Sequence, residues 1–142
     1  MSIEIRMLGP GEEAVLARVA PGVFDHPVDP ALAREFLADP RHHIAVALSD
    51  GVVVGFASGV DYIHPDKPRE LWINEVGTAP SHQRQGIGRQ VVAALLGRGR
   101  ALGCVNAWVL TEDENAAANA LYASAGGKTM SSGMMGYEFM PL

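Results

Sequence analysis

An apolar run ending at Thr78, the turn Gln83-Arg84-Gln85-Gly86-Ile87-Gly88 and the longest helical pattern in the chain follow one another without a break. Ile87, Val91, Val92, Leu95, Leu96 and Leu102 recur at helical spacing, Gly103 closes the helix, and residues 106–111 return as an apolar strand. A strand, a helix and a strand over residues 71–111 must join two parallel neighbours, by a right-handed crossover. Glycines at the strand-to-helix turn let the backbone bend and approach a ligand, and a helix start presents unpaired N–H groups to an anion. The turn is therefore predicted to cradle a phosphate.

The upstream pattern is different. Residues 2–8 read as a strand ended by Gly9-Pro10-Gly11, residues 12–19 show helical spacing, and Asp29-Pro30 starts a helix whose apolar stripe includes Leu32, Phe36 and Leu37. Residues 44–48 and 52–62, separated by Ser49-Asp50-Gly51, predict an antiparallel hairpin. Residues 64–69, rich in proline and charge, are expected to form an exposed loop before the strand 71–78. A last helix is expected over residues 115–125, stopped by Gly126-Gly127, and a final strand over residues 134–140. Antiparallel strands first and one parallel crossover later predict an α+β fold: a mixed, mostly antiparallel sheet with helices on both faces.

With 142 residues, 48% hydrophobic and 19% charged, the chain reads as one domain, residues 1–142. A net charge of −5 argues against a nucleic-acid partner and tolerates a cationic substrate. No apolar run predicts a membrane span or an export signal, and Cys104 is the single cysteine, so a reducing cytoplasm is expected. At its helix-to-strand junction Cys104 reads as an inert, buried thiol. His42 and His43 are adjacent on a strand and point oppositely, so no metal site is expected from them.

Two nucleotide motifs fail. A dinucleotide fingerprint needs a third glycine where Val91 stands, and Gly127-Lys128-Thr129 imitates a Walker A ending whose first glycine falls on Tyr122. The helix Asn115-Ala116-Ala117-Ala118-Asn119-Ala120-Leu121-Tyr122 is lined by small residues that allow close packing. With Gln83, Gly86 and Gly88 upstream and Asn115, Ala118, Leu121 and Tyr122 here, the chain resembles the GCN5-related N-acetyltransferase (GNAT) family, whose motifs are Gln/Arg-x-x-Gly-x-Gly/Ala and Asn-x-x-Ala-x-x-Leu-Tyr. The resemblance is densest over residues 71–127. Gly127 departs from it, since the family commonly has a large apolar residue there.

The resemblance implies acetyl-CoA as co-substrate and direct acetyl transfer to a primary amine. Backbone N–H groups of Arg84, Gln85, Gly86, Ile87, Gly88 and Arg89 would hold the pyrophosphate, with Val76, Gly77 and Thr78 along the pantetheine arm and Gln83, Asn115 and Tyr122 completing the cofactor site. Tyr122 would protonate the departing thiolate, Glu75 would take the ammonium proton directly or through water, and the Val76 N–H would hold the oxyanion. The run from Asn74 to Thr78 and the segment Tyr137-Glu138-Phe139 loosely resemble the aminoglycoside 3-N-acetyltransferase branch. Asp25, Asp29, Asp61, Glu75 and Glu138 would supply a negative field for a cationic small-molecule acceptor, with His26 and His64 in loops that could line it. A protein or peptide amino terminus is the rival acceptor, and a CoA-binding module without catalysis the rival function. Met130, Met134, Met135 and Met140, the loop 64–69 and the final strand are expected to serve packing or a homodimer.

Overall fold

The computed structural model describes residues 2–130 and 135–142. Among them, β1 (Glu4–Met7), β2 (His42–Ser49), β3 (Val52–His64), β4 (Lys67–Thr78) and β5 (Asn106–Trp108) form one sheet in that order. The first four pair antiparallel and β4 with β5 parallel. The α-helices are α1 (Pro30–Ala38), α2 (Ile87–Ala101) and α3 (Ala116–Ser124), with short 3₁₀ turns at Glu13–Ala17 and Pro80–His82. This is the mixed, mostly antiparallel α+β architecture that the pattern of elements predicts.

Local chemistry accounts for the joints. Asp50 and Gly51 both have positive φ, 50° and 76°, as a two-residue type I′ hairpin turn requires, and Ser49 pairs with Val52 across it. The Asp29 carboxylate caps α1 by accepting from the N–H groups of Ala31 and Leu32, and Pro30 occupies the first turn. Asn115 caps α3 in the same way through the Ala118 N–H at 3.0 Å. The end of α3 is a Schellman motif, with Gly126 donating to Ala123 and Gly127 to Tyr122. A Cβ on Gly127 would stand 2.9 Å from the Tyr122 carbonyl oxygen, which accounts for glycine where the family favours a large side chain.

The sheet has two differently used faces. On one, α2 lies against Ala57, Leu71 and the glycines of β3, burying Ile87, Val91, Val92 and Leu95; a Cβ on Gly55 would come within 2.6 Å of Ile87. Each such side chain fully removed from water contributes roughly 1.5–3 kcal/mol before entropic costs. On the other face, α1 and the first 3₁₀ turn bury Ala33, Leu37 and Leu16 but leave part of the sheet uncovered. That uncovered part is the cleft described below.

Three expectations change. Residues 64–69 are not a loop: β3 and β4 run on to a tight turn at Pro65-Asp66, and His64 pairs with Lys67. Pro68 is tolerated because the register is irregular there, between Tyr62 and His64, where a ladder N–H can be spared. The strand expected over residues 106–111 stops at Trp108, because its pairing with β4 ends at Trp72. The final strand expected over residues 134–140 is absent from residues 135–140; Met134 lies outside the described residues. Tyr137 and Phe139 are 79% and 81% exposed, so the segment has neither a pairing edge nor a core face to hold it as a strand.

Candidate active site

At one end of the sheet an open strand edge runs into a helix start. Parallel pairing covers Glu70 to Trp72, so residues 73–78 of β4 are open on the side where β5 began, and Val76, Gly77 and Thr78 lie on that open stretch. Gln83, Arg84, Gln85, Gly86 and Arg89 are exposed, whereas Ile87 is buried and anchors the turn. Gly86, at φ 76°, precedes the first turn of α2, which no side chain caps. Arg84 also holds a positive φ of 63°. The first N–H groups of α2 thus face solvent at the positive end of a 15-residue helix, and this arrangement fits a phosphate. Gly88 is half-buried against Leu121 and serves the packing of α2 on α3.

Gly77 has a second explanation. A Cβ there would stand 2.4 Å from the Val23 carbonyl oxygen and 2.9 Å from the Phe56 ring, so the close approach it permits is that of the chain itself. Gly22 is similarly close to Pro80, and the N–H of Val53 donates to Arg18 while that of Ala20 donates back to Val53. These contacts hold the segment 20–29 over the carboxyl end of β4. One wall of a cleft is positioned by them.

The reach of Glu75 depends on a bulge. Ile73 pairs with Gly59 and Glu75 with Ser58, leaving Asn74 as an extra residue on β4. In an unbroken strand Leu71, Ile73 and Glu75 would share a face and Glu75 would enter the α2 core. The extra residue returns Glu75 to the α1 face, where it lines a cavity of about 330 Å³ with Ser58, Phe56, Phe24, Phe36 and Leu32. Glu75 is exposed at the edge of this cleft.

The cleft gathers four of the anticipated acceptor-side residues, Asp25, His26, Asp29 and Glu75. One oxygen of Asp29 is already engaged in capping α1. Asp61 lies elsewhere: it is 2% exposed on the α2 face, with His43 Nε2 at 2.6 Å and Arg69 bonded to its second oxygen. Burial pushes its carboxyl up, but the hydrogen bonds and charges of His43 and Arg69 outweigh this and hold it below the usual range. It joins β2, β3 and β4 and faces no acceptor. Glu138 is exposed in the carboxy-terminal segment, and His64 sits at the β3–β4 turn, 3.8 Å from Glu70; neither lines the cleft.

Tyr122 is half-buried on α3, and that burial pushes its phenol up, so it stays protonated and able to donate near neutral pH. Burial likewise raises the Cys104 thiol, which keeps it unreactive. His43 turns toward Asp61 while His42 stacks on Phe36, on opposite faces as adjacent strand residues should be. Ser58, Phe24, Phe56 and Ile44 also line the cleft, and no motif marks them in the sequence. The apolar stripe expected of Leu32, Phe36 and Leu37 divides: α1 buries Ala33 and Leu37 and turns Leu32 and Phe36 to the cleft. A second apolar pair offset by one position was the available signal.

The acetyltransferase (GNAT) family model matches residues 14–126. The chain belongs to the GNAT family. Among relatives, N-alpha-acetyltransferase RimI of Mycobacterium tuberculosis is 38% identical over 104 residues, 73% of this chain and 63% of that protein. The match therefore spans less than two thirds of that relative's length. An aminoglycoside acetyltransferase from an uncultured soil metagenomic sample superposes with a TM-score of 0.79 over 98% of both chains at 22% identity. AAC(6')-Iy, in complex with a bisubstrate analogue, gives a TM-score of 0.79 over 98% of this chain and 99% of its own at 20% identity. At these identities the likeness carries the GNAT fold. The aminoglycoside position named there is 6′, so the resemblance to the 3-N branch narrows no further than the family.

Proposed function

We propose that this GNAT-family chain transfers the acetyl group of acetyl-CoA directly to a primary amine. The observation that carries the reading is the open edge of β4 at residues 73–78 leading into the uncapped start of α2 at Gly86. An extended arm can pair along the first while the anionic pyrophosphate meets the second, and the acceptor cleft opens beside Glu75. Glu75 takes a proton from the ammonium, directly or through water, and the neutral amine attacks the thioester carbonyl. The Val76 N–H holds the oxyanion, and Tyr122 gives its proton to the thiolate as the carbon–sulfur bond breaks; the second proton of the amine, lost as the amide forms, returns through water to the phenolate, and the proton on Glu75 passes to solvent. The acyl chemistry comes from the bound acetyl-CoA; the chain supplies orientation, proton transfer and charge stabilisation. The single free cysteine suits a cytoplasmic setting.

The acceptor is a small amine or, as the 38% identity to a protein N-alpha-acetyltransferase favours, a peptide amino terminus. Thiol release from acetyl-CoA with a panel of amines tests the reading. Release with at least one amine, abolished by Gly86→Val, is expected. Acetyl-CoA binding by calorimetry without release for any amine would leave a CoA-binding module, and no binding at all would remove both.

A further inference from the structure

We infer that the cleft selects a primary ammonium joined to one bulky apolar or aromatic group, in preference to a polyhydroxylated or polycationic amine; this deepens the acetyltransferase reading above and rests on it. The body of the cleft is apolar. Phe24 stacks on Phe56 with ring centroids 4.1 Å apart, and Phe36 and Leu32 rise from α1 on the facing wall. Leu32 is 62% exposed although it belongs to a helix that buries Ala33 and Leu37, so its side chain is apolar surface at the mouth that an apolar ligand would cover.

Two carboxylates of the cleft are free to meet an ammonium. Asp25 and Glu75 line the cleft without a salt-bridge partner among the described residues, Asp29 is engaged at the helix cap, and no lysine or arginine lines the space. Glu75 stands beside the open β4 edge and so attracts the reacting nitrogen, which leaves Phe24, Phe36 and Leu32 for the carbon body. Each hydroxyl of a sugar-like acceptor pressed on those rings would lose water without gaining a partner. The volume of about 330 Å³ is also at the small end of ligand sites and takes one large side chain with its amine.

The experiment is a comparison of kcat/KM by thiol release for phenethylamine, leucinamide, a tetrapeptide beginning with leucine, spermidine and kanamycin. The expected result is at least about a tenfold advantage for one of the first three over the last two, the size expected when an apolar pocket recognises an apolar group. Phenethylamine or leucinamide above the tetrapeptide assigns a free amine; the tetrapeptide above both assigns a peptide terminus. Leu32→Lys should raise KM for the preferred amine about tenfold while the KM for acetyl-CoA stays put, and Leu32→Met should recover most of the loss. Spermidine or kanamycin as the best acceptor, or an unmoved KM in Leu32→Lys, overturns the inference and leaves the acetyltransferase reading standing. No release with any amine overturns that reading, and the inference with it.

Discussion

Asp61 and Glu75 occupy neighbouring strands and lie on opposite faces of the sheet. Asp61 is buried under α2 and held by His43 and Arg69; Glu75 is exposed on the cleft and has no such partners among the described residues. What separates their fates is the single extra residue Asn74, which reverses the facing of β4 between Ile73 and Glu75. A carboxylate neutralised by fixed partners stabilises the fold and is unavailable for proton transfer. One facing a solvated cleft can bind and deprotonate an ammonium.

The comparison breaks most visibly at Glu75. Glu75→Gln should lower kcat by about 10²–10⁴-fold, as loss of a general base does, with a melting curve indistinguishable from the parent because the side chain is exposed. Asp61→Ala should do the reverse. It strands a buried histidine and a partly exposed arginine, so a loss of about 3 kcal/mol is expected by urea titration, with kcat of the folded fraction retained. The acid limb sharpens the same contrast. Because Asp61 titrates lower in the folded chain than in the unfolded one, its stabilisation is present above about pH 3.8 and is lost as pH falls below that value. In that window the unfolded chain binds more protons, so stability rises with pH, and Asp61→Asn should flatten that slope. Tyr122→Phe ranks next, with a fall of roughly 10² in kcat and little change in KM for acetyl-CoA, checked by steady-state kinetics.

The turn leading into α2 was legible in the sequence and the cleft on the α1 face only partly, for physical reasons. Gln83, Gly86 and Gly88 fall within six consecutive positions, and helix periodicity marks where α2 begins. The two-residue turn at Asp50-Gly51 and the caps Asp29 and Asn115 are local in the same sense. The cleft is assembled from Phe24, Leu32, Ser58 and Glu75, which lie far apart in the chain and meet through tertiary packing. Asp61 was read as part of a surface field because nothing in its neighbours announces His43, eighteen residues away, as its partner. Nor does any local pattern reveal a bulge at Asn74. The carboxy-terminal alternation in residues 135–140 was a strand signal without a partner, and a strand needs one.

Asn115 offers the finest division between the two kinds of residue. The motif assigns it to the acetyl-CoA site, while the structure has its side chain capping α3 through the Ala118 N–H. Asn115→Ala should cost about 1 kcal/mol in stability, the usual worth of such a cap. Asn115→Asp keeps a capping oxygen and adds a charge favourable at a helix start, so it should restore stability. If Asn115 serves only the helix, acetyl-CoA affinity measured by calorimetry will follow stability and recover in Asn115→Asp. If its side chain also meets the anionic donor, the added carboxylate will repel it, and stability will recover while affinity falls further. The two measurements on one variant then decide whether Asn115 belongs with Asp61, which serves the fold, or with the role proposed for Glu75.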